Sequence, residues 1–247
     1  MKKLYLQTVK KVDHLPDYLI EKRLPLDILL EVKDHMEDQI AALETEQNLT
    51  FDDAFEQTKI SWEKDLKMGF SLFSYKFRKI TRLQNSIMMR NQFRIQKKSI
   101  LIMLVIFFMT VFSAFYLPTI SKYIFLIIYS SVALLGIVAS VLDRKLLQTT
   151  KANYDKNISV FQRSTSNYML IGTLFIIINN ILELDSQIEK INGGINEIFF
   201  KHTFMLTSFI DLTRGYFYIY MVVYGYLCYI NYKKAVTKIK ERMTLEF

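Results

Sequence analysis

A single cysteine, Cys228, among 247 residues excludes an intramolecular disulfide, a Cys-based zinc ribbon and an iron–sulfur cluster. The three histidines, His14, His35 and His202, are too few and too scattered for a dense histidine metal site. Seven glycines and three prolines argue against a β-sandwich, a collagen-like chain and a Pro/Gly-rich disordered chain. The one glycine pair, Gly193-Gly194, lies in an acidic stretch and forms no phosphate-cradling loop. No HExxH, GxSxG or paired inner-membrane acid motif is present, so no catalytic residue, metal or cofactor is expected and the chain does not read as an enzyme. Asp34, His35 and Asp38 are close on one predicted helix, where an exposed polar face is the commoner use of such residues.

Apolar residues make up 51% of the chain, and they concentrate after Lys98. Ser99–Leu117 runs 19 residues without a charge; at 1.5 Å per residue it spans about 28 Å, close to the hydrocarbon thickness of a bilayer. Pro118 then marks a break, and Tyr123–Leu142 is again uncharged, up to Asp143. A third span is predicted over Tyr168–Leu184 and a fourth over Asp211–Ile230, with no span broken and no internal repeat. Met1-Lys2-Lys3 is followed by no apolar core or small-residue cleavage site, so the first span is expected to serve as the targeting signal.

Charges next to these runs set an orientation. No acidic residue occurs from Leu66 to Lys98, a stretch that holds Arg90, Arg94, Lys97 and Lys98, and Lys233 and Lys234 follow the fourth span. The loops expected outside carry Lys122 alone, then Asp185, Glu189 and Glu197 against Lys190 and Lys201. The positive-inside rule places both termini in the cytoplasm of a cell whose inner membrane the protein crosses four times. Arg90, Arg94, Lys97, Lys98, Lys233 and Lys234 are then lipid-anchoring residues that meet anionic headgroups. This accounts for the net charge of +8 without nucleic acid. Residues 1–65 instead hold 15 acids against 9 Lys+Arg, which opposes direct binding of nucleic acid.

Those first residues read as helical. Leu4, Val9 and Val12 sketch an opening helix that ends near Pro16 or Pro25. From Leu26, the residues Leu29, Val32, Met36 and Ile40 recur at helical spacing and form an apolar stripe for docking a partner. Thr50 three residues before Asp53 is an N-cap signal for a further helix bearing Phe51, Ala54, Phe55, Ile60 and Trp62. The two helices are expected to form a hairpin. Residues 66–98, basic and aromatic, read either as an interfacial amphipathic helix or as a continuous helix feeding the first span.

Leu24-Pro25, Glu31, Asp34-His35-Met36-Glu37, Thr50-Phe51-Asp52-Asp53-Ala54-Phe55 and Trp62 together resemble the HAAS-type and permease-prefix domains of bacterial membrane proteins. The resemblance covers about residues 24–62, and this chain lacks the glycines those domains carry in the turn and after the last aromatic residue. It implies an interaction or regulatory module without catalytic residues, of a kind found beside transcription regulators or at the front of transporter permeases.

Polar groups within the spans are the remaining candidates. Asp211 and Arg214 are three apart near the start of the fourth span, and Asn179 and Glu183 are four apart on the third. Together they predict a polar pocket near the outer leaflet. Seven tyrosines between Tyr216 and Tyr232, and the small pair Gly136 and Ser140, suggest helix packing. The sequence therefore predicts an all-α integral membrane four-helix bundle behind a cytoplasmic helical hairpin domain. Its expected divisions are 1–65 for the interaction domain, 66–98 for the connecting helix, 99–232 for the spans and 233–247 for a basic tail. Signalling through a cytoplasmic protein partner is the expected role, a transporter or transport-complex subunit the alternative, and a homo-oligomer one expected assembly.

Overall fold

The computed structural model describes residues 14–71, 79–151, 157–197, 201 and 206–245, apart from the side chains at 118, 163, 164, 166, 167, 208, 211, 212 and 243–245. It is an all-α fold. Helices α1 (14–21), α2 (Leu26–Gln47) and α3 (Phe51–Leu66) come first, followed by strands β1 (Met68–Gly69) and β2 (Ile80–Thr81). Then come α4 (Arg82–Tyr116), α5 (Pro118–Leu142), α6 (Arg144–Gln148) and α7 (Gln162–Phe175). A π-helical segment, Ile176–Ile181, precedes α8 (Leu184–Ile195), and α9 (Leu206–Leu245) closes the chain.

The chain divides into two compact units. The front unit takes 1–91, 156–160 and 234–247, and the second takes 92–155 and 161–233. This differs from the expected divisions: the boundary falls inside α4 and inside α9, and a piece of the loop before α7 belongs to the front unit.

In the front unit, Val32, Met36 and Ile40 are buried and Leu29 is partly buried. The predicted docking stripe is therefore interior, which corrects its assignment to a partner. Its cover comes from Leu15 and Leu19 of α1, Ala54 and Phe55 of α3, and Leu66. Leu4, Val9 and Val12 lie outside the described residues, and Pro16 falls within α1 rather than ending a helix. The Thr50 N-cap forms as expected: its hydroxyl oxygen accepts from the Asp53 amide at 3.3 Å while its proton goes to the Asp53 carboxylate at 2.7 Å. Trp62 donates its indole N–H to Gln39 Oε1 at 3.0 Å, whereas Ile60 points outward.

The start of α2 has no side-chain cap, because Pro25 stands at that position. Two of its orphan amides are satisfied from far along the chain: Leu26 donates to the Asn157 carbonyl at 2.9 Å and Asp27 to the Ile158 carbonyl at 3.1 Å. Val160 packs on the same core. The end of α9 adds Ile239, which is buried, and two ion pairs to α2, Lys238–Glu31 at 2.7 Å and Arg242–Asp34 at 2.8 Å. The expected basic tail is thus a helix held by acids of α2. The described residues 67–71 and 79–81 are not helical: β1 and β2 pair antiparallel, and helix resumes only at Arg82.

In the second unit, α4 and residues 119–142 of α5 are long and apolar enough to cross a membrane. A third candidate is the pair Tyr168–Ile181 and Leu184–Ile195, which meet at 84°. The expected unbroken third span is therefore broken at Leu182 and Glu183. The residues expected to be its outer loop form α8, which buries Leu184, Ile191 and Ile195 and exposes Asp185 and Glu189. The fourth expected span falls on α9, a 40-residue helix that is not among these candidates. Gly136 faces Thr173 of α7, so that a Cβ there would lie 3.2 Å from the Thr173 Cβ. Of the small-residue pair, Gly136 therefore lies where α5 and α7 approach closely, whereas Ser140 donates to the Gly136 carbonyl of its own helix.

Candidate functional site

The π-helical turn places two adjacent asparagines on the same side as α9. Such a turn inserts one extra residue into a helix and is often found at functional positions; here the Leu182 amide reaches back five residues to the Ile177 carbonyl at 3.0 Å. Asn179 Oδ1 accepts from Arg214 Nη2 at 2.7 Å, and Asn179 Nδ2 donates to the Phe175 carbonyl. Asn180 is fully buried and donates to the Gly215 carbonyl at 3.4 Å. Gly215 is closely covered at that point: a Cβ would lie 3.2 Å from both Asn180 Nδ2 and the Tyr129 hydroxyl, so a larger residue would have to displace those side chains slightly. Nearby on α9, Tyr216 shares a 2.7 Å hydrogen bond with Thr110 of α4, whose own proton is directed at the Ile106 and Phe107 carbonyls.

Tyr129 OH, Asn180 Oδ1, Arg214 Nε and Gln187 Nε2 are buried with no hydrogen-bond partner among the described residues. Each such group costs about 1–3 kcal/mol. The arrangement thus offers a phenol donor beside an amide acceptor, with a guanidinium one residue away along α9. A small polar group that accepts from Tyr129 and donates to Asn180 would satisfy both.

Of the four predicted pocket residues, the structure joins Asn179 and Arg214. Glu183 is exposed at the bend and joins neither of them, because the chain turns there into α8. The Asp211 side chain lies outside the described residues, as does His202. Tyr129 and Thr110 complete the site without any signal in the spans; Tyr216, first of the seven tyrosines, and Asn180, beside Asn179, were the legible cues. Tyr220 and Tyr224 stack on each other at 5.9 Å, and Tyr168 meets Tyr224 edge-on at 5.2 Å, as expected for tyrosines used in packing.

At the other end of the same helices, Asp143 accepts from Lys233 at 2.6 Å and from the Tyr229 hydroxyl. Those donors hold the Asp143 carboxyl below the usual carboxylate range, and the hydrogen bond to that carboxylate raises Lys233. Lys233, expected to anchor in lipid, is therefore also engaged with a carboxylate while it stays exposed. Arg90, Arg94, Lys97, Lys98 and Lys234 are exposed. In the front unit a separate cleft of about 480 Å³ is bordered by Lys64, Lys67, Phe70 and Arg82. Among the described residues no group of three His, Cys, Asp or Glu side chains is placed to hold a metal ion.

Fold and site define an all-α chain with two helices, or three if the bent pair is one span, fit to cross a membrane, and with a buried polar node beside a π turn. No family model, curated protein or solved structure matches the chain.

Proposed function

We propose that this is a regulatory protein of the cell's inner membrane. It crosses the bilayer four times, with α4, α5, the α7–π segment and α9 as spans, and both termini lie in the cytoplasm. The α2–α3 hairpin, a HAAS-like module, engages a protein partner by its outward surface. The observation that carries this reading is the make-up of the front unit: Asn157 and Ile158 cap α2, and the last turns of α9 pair with it. A shift of α7 or α9 driven from the Asn179–Arg214 node would reach α2 through those two segments, a rigid-helix route to a switch.

The test is hydrogen exchange on the full chain in mild detergent, comparing wild type with Arg214→Gln. Faster exchange at the Leu26–Val32 amides supports regulation. Exchange altered only around the substitution would defeat it.

The broken third span favours a second reading, a transporter or a subunit of one, since interrupted helices beside polar groups are how many transporters build their sites. Solute flux in proteoliposomes, lost in Arg214→Gln while α2 exchange is unchanged, would select it.

A further inference from the structure

A groove of about 650 Å³ runs between α4 and α9 in the second unit, within the size range of small-molecule sites. Its walls include Ile100, Met103, Leu104 and Phe107 from α4 with Phe217 and Tyr220 from α9, and Arg214 borders it. Only 17% of the apolar window of α4 is buried within the chain, so this side is open to whatever surrounds the helix. Thr213 also borders the groove but directs its proton to the Phe209 carbonyl, which leaves the guanidinium as the cationic feature.

One Arg214 donor goes to Asn179, Arg214 Nε has no partner, and among the described residues no carboxylate pairs with it. A guanidinium on an apolar wall, with several of its five N–H groups uncommitted, calls for an anion carried on an apolar body. From Phe209 to Tyr220 the groove follows twelve residues of α9, a rise of about 16 Å, or one leaflet of a roughly 30 Å hydrocarbon core. A second copy of the chain fits less well, since a two-fold contact through this groove would set Arg214 against itself.

We propose that the α4–α9 groove holds a membrane lipid, its acyl chain against Leu104, Phe107 and Tyr220 and its anionic phosphate headgroup on Arg214. The inference rests on the membrane-spanning reading above. It supplies the ligand of that site: the headgroup takes guanidinium N–H groups that Asn179 leaves open, so lipid and the π turn meet on one side chain.

The experiment compares the full chain with Arg214→Gln, Arg214→Lys and the groove-filling Leu104→Trp, each in nanodiscs of equal parts phosphatidylglycerol and phosphatidylcholine. Lipid retained after transfer to mild detergent is then read by native mass spectrometry. Wild type is expected to keep phosphatidylglycerol in preference. Arg214→Gln should reduce that preference about tenfold, as expected for one charge-assisted contact. Arg214→Lys should keep most of it, and Leu104→Trp should lose both lipids. An equal lipid complement in all four proteins overturns the inference. So does retention of lipid without headgroup preference in wild type. Alkaline extraction of native membranes separates the two readings: release of the protein defeats the spanning reading, whereas full retention with no lipid difference defeats the groove alone. Trp62, the one tryptophan of the wild type and of both Arg214 variants, reports by its fluorescence whether their front unit is folded; for Leu104→Trp, far-ultraviolet circular dichroism reports retained helix instead.

Discussion

Asp27 and Asp143 experience opposite surroundings, and acid acts on them in opposite directions. Burial at the start of α2 raises the Asp27 carboxyl, more strongly than its hydrogen bonds with Ser159 and the Ile28 amide lower it. The folded front unit therefore holds that proton more tightly than the unfolded chain. Its contribution to stability grows on acidification and fades as pH rises from about 4 through the raised value. Asp27→Asn should flatten this dependence when the Trp62 melting temperature is followed from pH 4 to 8. For Asp143 the sign reverses. Its carboxyl lies low because Lys233 and Tyr229 donate to it, so the link is present above about 4 and is lost as pH falls through the depressed value. Lys233 is raised, and its share persists until pH climbs through that raised value. Amide protection around 229–233, taken relative to the intrinsic exchange rate at each pH, should therefore be greatest between those limits and fall in acid; Asp143→Asn should remove the acid step. Thr50→Ala should cost about 1 kcal/mol, the usual value of an N-cap, as a lower melting temperature of the Trp62 signal.

At the level of helices, packing outweighs surface charge. Met36 is fully buried between α1, α2 and α3, so Met36→Ala should cost about 2–5 kcal/mol, read by the same fluorescence. The ion pairs Lys238–Glu31 and Arg242–Asp34 are part-exposed, and each is worth at most about 1 kcal/mol. Lys238→Glu should therefore loosen the end of α9 only slightly. Ile239→Asp, which buries a charge, should release it, as seen by protease cleavage after Lys238 or Lys240 in the full-length protein. At Gly136 even one methyl group meets Thr173, so Gly136→Val should push α5 from α7 at about 1–3 kcal/mol and lower the temperature at which the second unit aggregates.

For the molecule as a whole, the features legible in advance were those that depend on local pattern. Composition indicated all-α, the uncharged runs located α4 and α5, and Thr50 with Asp53 started α3, because helix period and capping act within a few residues. Half of the predicted pocket, Asn179 with Arg214, was legible too, since polar residues are conspicuous in an apolar run. The covered docking stripe was not: Leu29, Val32, Met36 and Ile40 announce an apolar face, and periodicity does not say whether α1 or another protein covers it. Nor was the capping of Leu26 and Asp27 by Asn157 and Ile158, which lie some 130 residues away along the chain. The turn into α8 at Glu183 and the convergence of Tyr129 and Asn180 on Gly215 also depend on neighbours distant in sequence. Elements follow from short-range sterics and hydration, which the order of residues contains. Which faces meet follows from long-range packing of the whole chain, and that alone set the polar node and the groove beside it.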